Sequence, residues 1–129
     1  MKSVVTGGAG FIGSNLVDRL VQKGHKVIVL DNLSTGRLSN LYQVKNKIEF
    51  VNIDISNSEK SINKYFKNVE WVFHIAGCAD IVPSINNPKS YFQSNVNGTL
   101  NILEASRENN VKKFIYAASA SCYGIPERY

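Results

Sequence analysis

Three glycines, Gly7, Gly10 and Gly13, recur at three-residue spacing in the stretch Val4-Val5-Thr6-Gly7-Gly8-Ala9-Gly10-Phe11-Ile12-Gly13. An apolar run leads into them and an amphipathic run follows. A strand-to-helix turn needs this arrangement if a diphosphate is to rest against it. The first glycine permits a tight turn, the second lets backbone approach an anion, and the third lets helix and strand pack closely. The helix N-terminus adds unpaired N–H groups and the positive end of a dipole. A carboxylate, Asp31, stands 18 residues past Gly13 at the end of Val27-Ile28-Val29-Leu30. There it can accept hydrogen bonds from a ribose diol. The chemistry implied is dinucleotide binding. The alternative is a β-α-β unit that binds nothing, and the motif's context favours the ligand.

The flanking residues supply the elements that would position these groups. Strand one is expected over 2–6 and strand two over 26–31. Between them Leu16, Val17, Leu20 and Val21 recur at helical spacing, predicting a helix over 11–23 that Gly24 closes. Residues 32–47 are mixed, with a loop at Asn32-Leu33-Ser34-Thr35-Gly36 and a short helix over 38–45. Ile48 to Ile53 reads as strand three and ends at Asp54. Ser56 and Glu59 have capping-box spacing, and Ile62, Tyr65 and Phe66 would be the buried stripe of the helix they start. Trp71 to Ile75 is strand four, followed by the small-residue turn Ala76-Gly77-Cys78-Ala79. Asp80 to Asn87 reads as a loop containing Pro83. Asn87-Pro88 then caps a helix running to about Asn109, with Phe92, Val96, Leu100 and Leu103 as one apolar stripe. Lys113 to Ala118 is strand five, and Ser119-Ala120-Ser121-Cys122-Tyr123-Gly124 follows it.

Near-continuous apolar strands are covered on both faces, as in a parallel sheet wrapped by helices. Strands alternating with right-handed crossovers give an α/β, doubly wound, Rossmann-type sheet of order 3-2-1-4-5. Such sheets bind ligands at the carboxyl ends of their strands, where the order reverses. Thr6-Gly7, Asp31, Asp54, Ala76-Gly77 and Ser119 all fall on that rim.

The chain has 129 residues, enough for one domain, and 43% of them are hydrophobic. No apolar run approaches the ~20 residues of a membrane helix. Lys2-Ser3 leads straight into the first strand without the shape of a signal peptide, so a cytoplasmic location is expected. The net charge is +5, but the basic residues are scattered. The one ordered row, Lys60, Lys64 and Lys67, reads as a solvated helix face rather than a nucleic-acid groove. Mild basicity also suits anionic dinucleotides and nucleotide-sugars. Cys78, Cys122, His25 and His74 show no zinc-type spacing. Both cysteines should follow neighbouring strands and be reduced, small residues filling tight loops.

Taken together, Thr6-Gly7-x-x-Gly10-x-x-Gly13, Asp31-Asn32-Leu33, Asp54-Ile55, His74-Ile75-Ala76-Gly77, Asn95-x-Asn97-Gly98-Thr99 and Ser119-x-Ser121-x-Tyr123-Gly124 resemble the extended short-chain dehydrogenase/reductase family. Within it, the nucleotide-sugar 4-epimerases of the UDP-glucose and UDP-N-acetylglucosamine type look most similar. The resemblance covers essentially the whole chain, but only the first part of that family's chain, a partial NAD-binding domain over 1–129 without the C-terminal substrate domain. It implies that Gly7, Gly10, Phe11, Ile12 and Gly13 cradle the NAD pyrophosphate. Asp31 would hold the adenine ribose, with Asn32, Ser34, Thr35 and Gly36 nearby. Asp54 and Ile55 would border the adenine. Ala76, Gly77 and Ala79 would let backbone approach the cofactor, and Asn95 would face the cleft from the long helix unless its amide serves local backbone. His74 reads as a packed strand residue. Asp31 would repel the 2′-phosphate of NADP, favouring NAD, although Arg37 stands close in sequence.

In this family a Ser or Thr works with Tyr-x-x-x-Lys, the lysine lowering the tyrosine pKa so that it takes a proton from the sugar hydroxyl. Ser119 matches the serine, and Ser121 would touch the UDP-sugar. No tyrosine of this chain has a lysine four residues on: Tyr42, Tyr65, Tyr91, Tyr116 and Tyr123 lead to Asn46, Val69, Asn95, Ala120 and Glu127, and Tyr129 is last. The family would place the pair beyond Tyr129. The expectation is therefore an epimerase front portion that binds NAD weakly without turnover, from a parent that is a homodimer. Apolar sheet surface should be left uncovered. Dehydratases and reductases of the same family are the nearest rivals. Dehydratases tend to be acidic where Ala120 and Ser121 stand here. A non-catalytic NAD-binding module is the reading from another class.

Overall fold

The computed structural model describes residues 1–57 and 62–125, apart from the side chains at 120 and 121. Five parallel strands form one sheet in the order β3-β2-β1-β4-β5. They are β1 (Lys2–Thr6), β2 (Lys26–Asp31), β3 (Ile48–Asn52), β4 (Trp71–His74) and β5 (Lys113–Tyr116). In the central register Val4 pairs with Ile28 and Val72, and Thr6 with Leu30 and His74. Strands four and five are shorter than their apolar runs suggest. Beyond them Ala117 N–H still donates to the His74 carbonyl, but Ala118 N–H turns back to Tyr116.

Alternation along the strands feeds two cores. Val4, Ile28, Leu30 and Val72 face Ile62, Phe66, Ile102 and Ala105 on one side. Val5, Val27 and Val29 face Val17, Leu20, Leu41 and Val44 on the other. The second layer comes from α1 (Phe11–Gln22) and a 3₁₀ segment, Leu38–Val44, which occupies the place of the expected short helix. That layer stops short of β5: Trp71 and Phe73 are half-buried, and Ile115 is exposed. This is the uncovered apolar sheet surface expected.

Three departures concern the far side of the sheet. Residues expected as a loop form a short helix, α2 (Ile81–Asn86). Pro83 lies in its first turn, where a missing N–H costs no intrahelical bond. The next helix begins as expected, Asn87 accepting from Ser90 N–H with Pro88 at the first position. It does not run evenly, however: α3 (Pro88–Phe92) passes through a π-turn, Gln93–Asn97, into α4 (Gly98–Glu108). Finally, Phe92, Val96, Leu100 and Leu103 do share a stripe, but it faces solvent, at 42–56% exposure. The face packed on the sheet is Gly98, Ile102, Ala105 and Ser106. Ile62 and Phe66 are buried as expected, with Tyr65 half-buried beside them. Glu59, the second half of the expected capping box, and Lys60 lie outside the described residues.

Candidate functional site

At the end of β1 the chain turns with Gly7 at φ +67°, and Gly7 N–H donates to the Leu30 carbonyl at 2.9 Å. A Cβ at Gly7 would stand 2.7–2.8 Å from the Ala76 backbone, so the turns after β1 and β4 are in direct contact. A Cβ at Gly13 would overlap the Gly7 carbonyl oxygen, which makes the first turn of α1 fold tightly over the strand end. Gly10 is the helix N-cap and has no side chain to satisfy the N–H groups behind it; the first turn carries no acid either. The positive end of α1 is left available for an external anion.

Asp31 is 8% exposed. Its Oδ2 accepts from Ala9 N–H at 2.9 Å and its Oδ1 from Leu33 N–H at 2.8 Å. These bonds tie the end of β2 to the glycine turn and fix the carboxylate. Each oxygen keeps a further acceptor site. Asp54 is exposed and its Oδ1 accepts from the Ser56 N–H and hydroxyl at 2.9 and 2.7 Å. Ile55 is buried beneath it, against Gly98, where a Cβ would come within 3.0 Å of the isoleucine.

One cleft of about 370 Å³ joins these groups. The turn after β1 contributes Gly7, Gly10, Phe11, Ile12 and Gly13. The end of β2 contributes Asp31, Asn32, Ser34, Thr35 and Gly36, and the end of β3 Asp54 and Ile55. The turn after β4 contributes Ala76, Gly77 and Ala79. Every expected cofactor-contacting residue lines this cleft except Asn95. That amide instead grips the backbone of one residue of the β4 turn, Oδ1 accepting from Cys78 N–H at 2.8 Å and Nδ2 donating to the Cys78 carbonyl at 2.9 Å.

Three lining residues escaped the sequence reading: Ile75, Cys78 and Ser94. Cys78 sits inside the small-residue turn, and continuity of that turn was the available signal. Ser94 had none, because the π-turn shifts the helical phase and brings a neighbour of Asn95 to the cleft. Ser119 follows β5 on the same rim and is exposed, but does not line the cleft. Ser121 lies in the 3₁₀ turn Ala120–Tyr123, its side chain outside what is described. His74 is packed, 1% exposed, and burial pushes its imidazole from near 6.5 down to about 4. Cys78 is half-buried and Cys122 exposed, both as free thiols. Among the described residues no three His, Cys, Asp or Glu side chains could hold a metal ion together, and no helix is long and apolar enough to cross a membrane.

Residues 3–128 match the model of the NAD dependent epimerase/dehydratase family. The chain belongs to that family. A UDP-glucose 4-epimerase of Mycolicibacterium smegmatis is 42% identical over 133 aligned positions, covering all of this chain and 42% of that protein. The crystal structure of the Thermotoga maritima UDP-glucose 4-epimerase with UDP-glucose superposes with a TM-score of 0.90 at 38% identity, over the whole chain and 41% of its own. The Thermus thermophilus UDP-glucose 4-epimerase in complex with NAD gives 0.86 at 36% identity, again over the whole chain and 42% of its own. The chain thus spans about two fifths of the length of these relatives. The family's cofactor is NAD, and the residues present fit it. Glycines leave a cradle that a Cβ would fill, the helix end is uncapped, and a buried carboxylate, Asp31, lines the same cleft at the end of β2.

Proposed function

We propose that this chain is the NAD-binding part of a UDP-sugar 4-epimerase, the substrate domain lying outside the 129 residues. One observation carries the reading: the uncapped N-terminus of α1 and the Asp31 carboxylate open into the same cleft. Main-chain N–H groups of the first turn would hold the diphosphate, and Asp31 would accept from the ribose hydroxyls while disfavouring a 2′-phosphate. Asp54 and Ile55 would border the adenine. NAD supplies a reversible hydride acceptor, so that C4 of the sugar can pass through a ketone and regain its hydrogen on the other face. Ser119, from the end of β5, would hydrogen-bond the reacting hydroxyl, and Ser121 would contact the sugar.

No Tyr-x-x-x-Lys pair is present in the 129 residues. The chain should therefore bind NAD and turn nothing over. An NAD titration with a UDP-glucose to UDP-galactose assay on the purified chain tests both halves. Binding without conversion supports the reading, and measurable conversion would overturn its second half. Ala120 and Ser121, where an acid would suit a dehydratase, favour the epimerase. The solvent-facing stripe Phe92, Val96, Leu100 and Leu103 supports a homodimeric parent. The two free thiols suit a reducing, cytoplasmic setting. Scattered basic residues give no reason to invoke nucleic acid, nor the sequence a membrane.

A further inference from the structure

We propose that His74 is a positioning residue that sets the β4-side wall of the cleft through a hydrogen-bond relay ending on the backbone of Cys78, without touching the cofactor itself. The inference rests on the NAD-binding reading for its consequence, though not for its geometry. His74 lies at the end of β4, buried between β1 and α4. Its Nδ1 is 2.6 Å from Thr6 Oγ1, and its Nε2 is 2.9 Å from Thr99 Oγ1.

Counting hydrogens fixes the direction of every bond. The Thr99 hydroxyl gives its one hydrogen to the main-chain carbonyl of Asn95, which can only accept, so Thr99 Oγ1 accepts from His74 Nε2–H. The buried imidazole is neutral, so Nδ1 carries no hydrogen and accepts from the Thr6 hydroxyl. Thr6 Oγ1 in turn accepts from Ala76 N–H and shares the Ile75 N–H with the Thr6 carbonyl, each at 3.2 Å. The Thr99 bond to the Asn95 main-chain carbonyl is 2.6 Å long. The Asn95 side chain completes the path by holding the Cys78 N–H and the Cys78 carbonyl, which belong to successive peptide groups.

The relay therefore starts one residue before Gly7, steps from β1 to its neighbour β4 and on to α4, and ends on a cleft-lining residue. It also runs through the π-turn that brings Ser94 to the cleft. Irregular helical turns of this kind occur mostly at functional sites, and the Thr99 hydroxyl bonds back into this one at Asn95. Thr6 and His74 are buried, and Thr99, Asn95 and Cys78 half-buried; a network with every member paired rigidifies what it joins, and losing one member releases the rest.

Thr99 is the place to test this, because it does not line the cleft. Thr99→Val removes the hydroxyl at nearly constant shape, and Thr99→Ser keeps it. In the purified chain, Thr99→Val should weaken NAD binding about tenfold. It should also speed hydrogen exchange of the Cys78 amide about tenfold, leaving β1 and β2 amides unchanged. Thr99→Ser should stay within about twofold of wild type on both counts, and imidazole ¹⁵N spectra of wild type should place the proton on Nε2. Unchanged Cys78 exchange in Thr99→Val, equal damage in Thr99→Ser, or a proton on Nδ1 would overturn the proposal. Should the wild-type chain fail to bind NAD, only the cofactor reading falls, and Cys78 exchange still decides the relay.

Discussion

The two sides of the cleft are built differently. On the β1–β2 side, Gly7, Gly13 and Asp31 are fixed by main-chain contacts: a strand-end bond to Leu30, a carboxylate bonded to Ala9 and Leu33, and a helix turn that only glycine fits. On the β4–β5 side, the Ala76–Ala79 turn is held by side chains reaching across the fold, from Thr6 to His74, Thr99 and Asn95. Backbone packing tolerates almost no change in volume. A side-chain relay tolerates changes in volume better than changes in hydrogen-bonding capacity. The first side should therefore fail sterically and the second electrostatically.

The largest effect is expected at Gly13. Gly13→Ala drives a methyl into the Gly7 carbonyl. Overpacking of this kind should cost about 3 kcal/mol of stability and abolish NAD binding; urea denaturation and a binding titration read both. Normal affinity in Gly13→Ala would erase the contrast.

Next comes pH, which should act on the β4–β5 side. His74 titrates near 6.5 when unfolded and about 4 when folded. Between those values the unfolded chain binds a proton that the folded chain refuses, so stability falls as pH drops through that window. The full effect is about 3 kcal/mol. Urea unfolding at neutral and acid pH should show this extra acid sensitivity in wild type and not in His74→Asn. Identical pH slopes would mean the imidazole is not held neutral.

A smaller change is expected from Asp31→Asn, which keeps one acceptor oxygen and removes the charge. NAD affinity should fall about tenfold, or ~1.4 kcal/mol, and discrimination against NADP should narrow. Parallel titrations with the two cofactors measure it. Smallest in the isolated chain is Leu100→Glu on the exposed stripe. Stability should move by no more than about 0.5 kcal/mol, while sedimentation should show less self-association than wild type.

What could be read in advance follows the same division. The glycine turn and Asp31 were legible because their geometry depends on short spacings and on the twist of one β-α-β unit. The strand order followed from apolar runs and the handedness of crossovers. The π-turn was not legible, since Phe92, Val96, Leu100 and Leu103 keep a regular period straight through it. Nor was the direction that stripe faces, because Ile102 and Ala105 form a second apolar edge on the same helix. Asn95 was placed on the correct helix with two partners open, the cleft or backbone, and the phase of one turn gives its amide to the backbone of Cys78.

Residue order alone thus settled the family, the sheet and the half of the cleft formed by neighbours in sequence, where steric rules act locally. Tertiary structure decided which helix face is buried, that Ser94 and Cys78 meet the cleft, and that His74 bridges Thr6 and Thr99 across separations of 68 and 25 residues. Hydrogen bonds over such distances exist only once packing has brought their ends together, and no pattern along the chain records them.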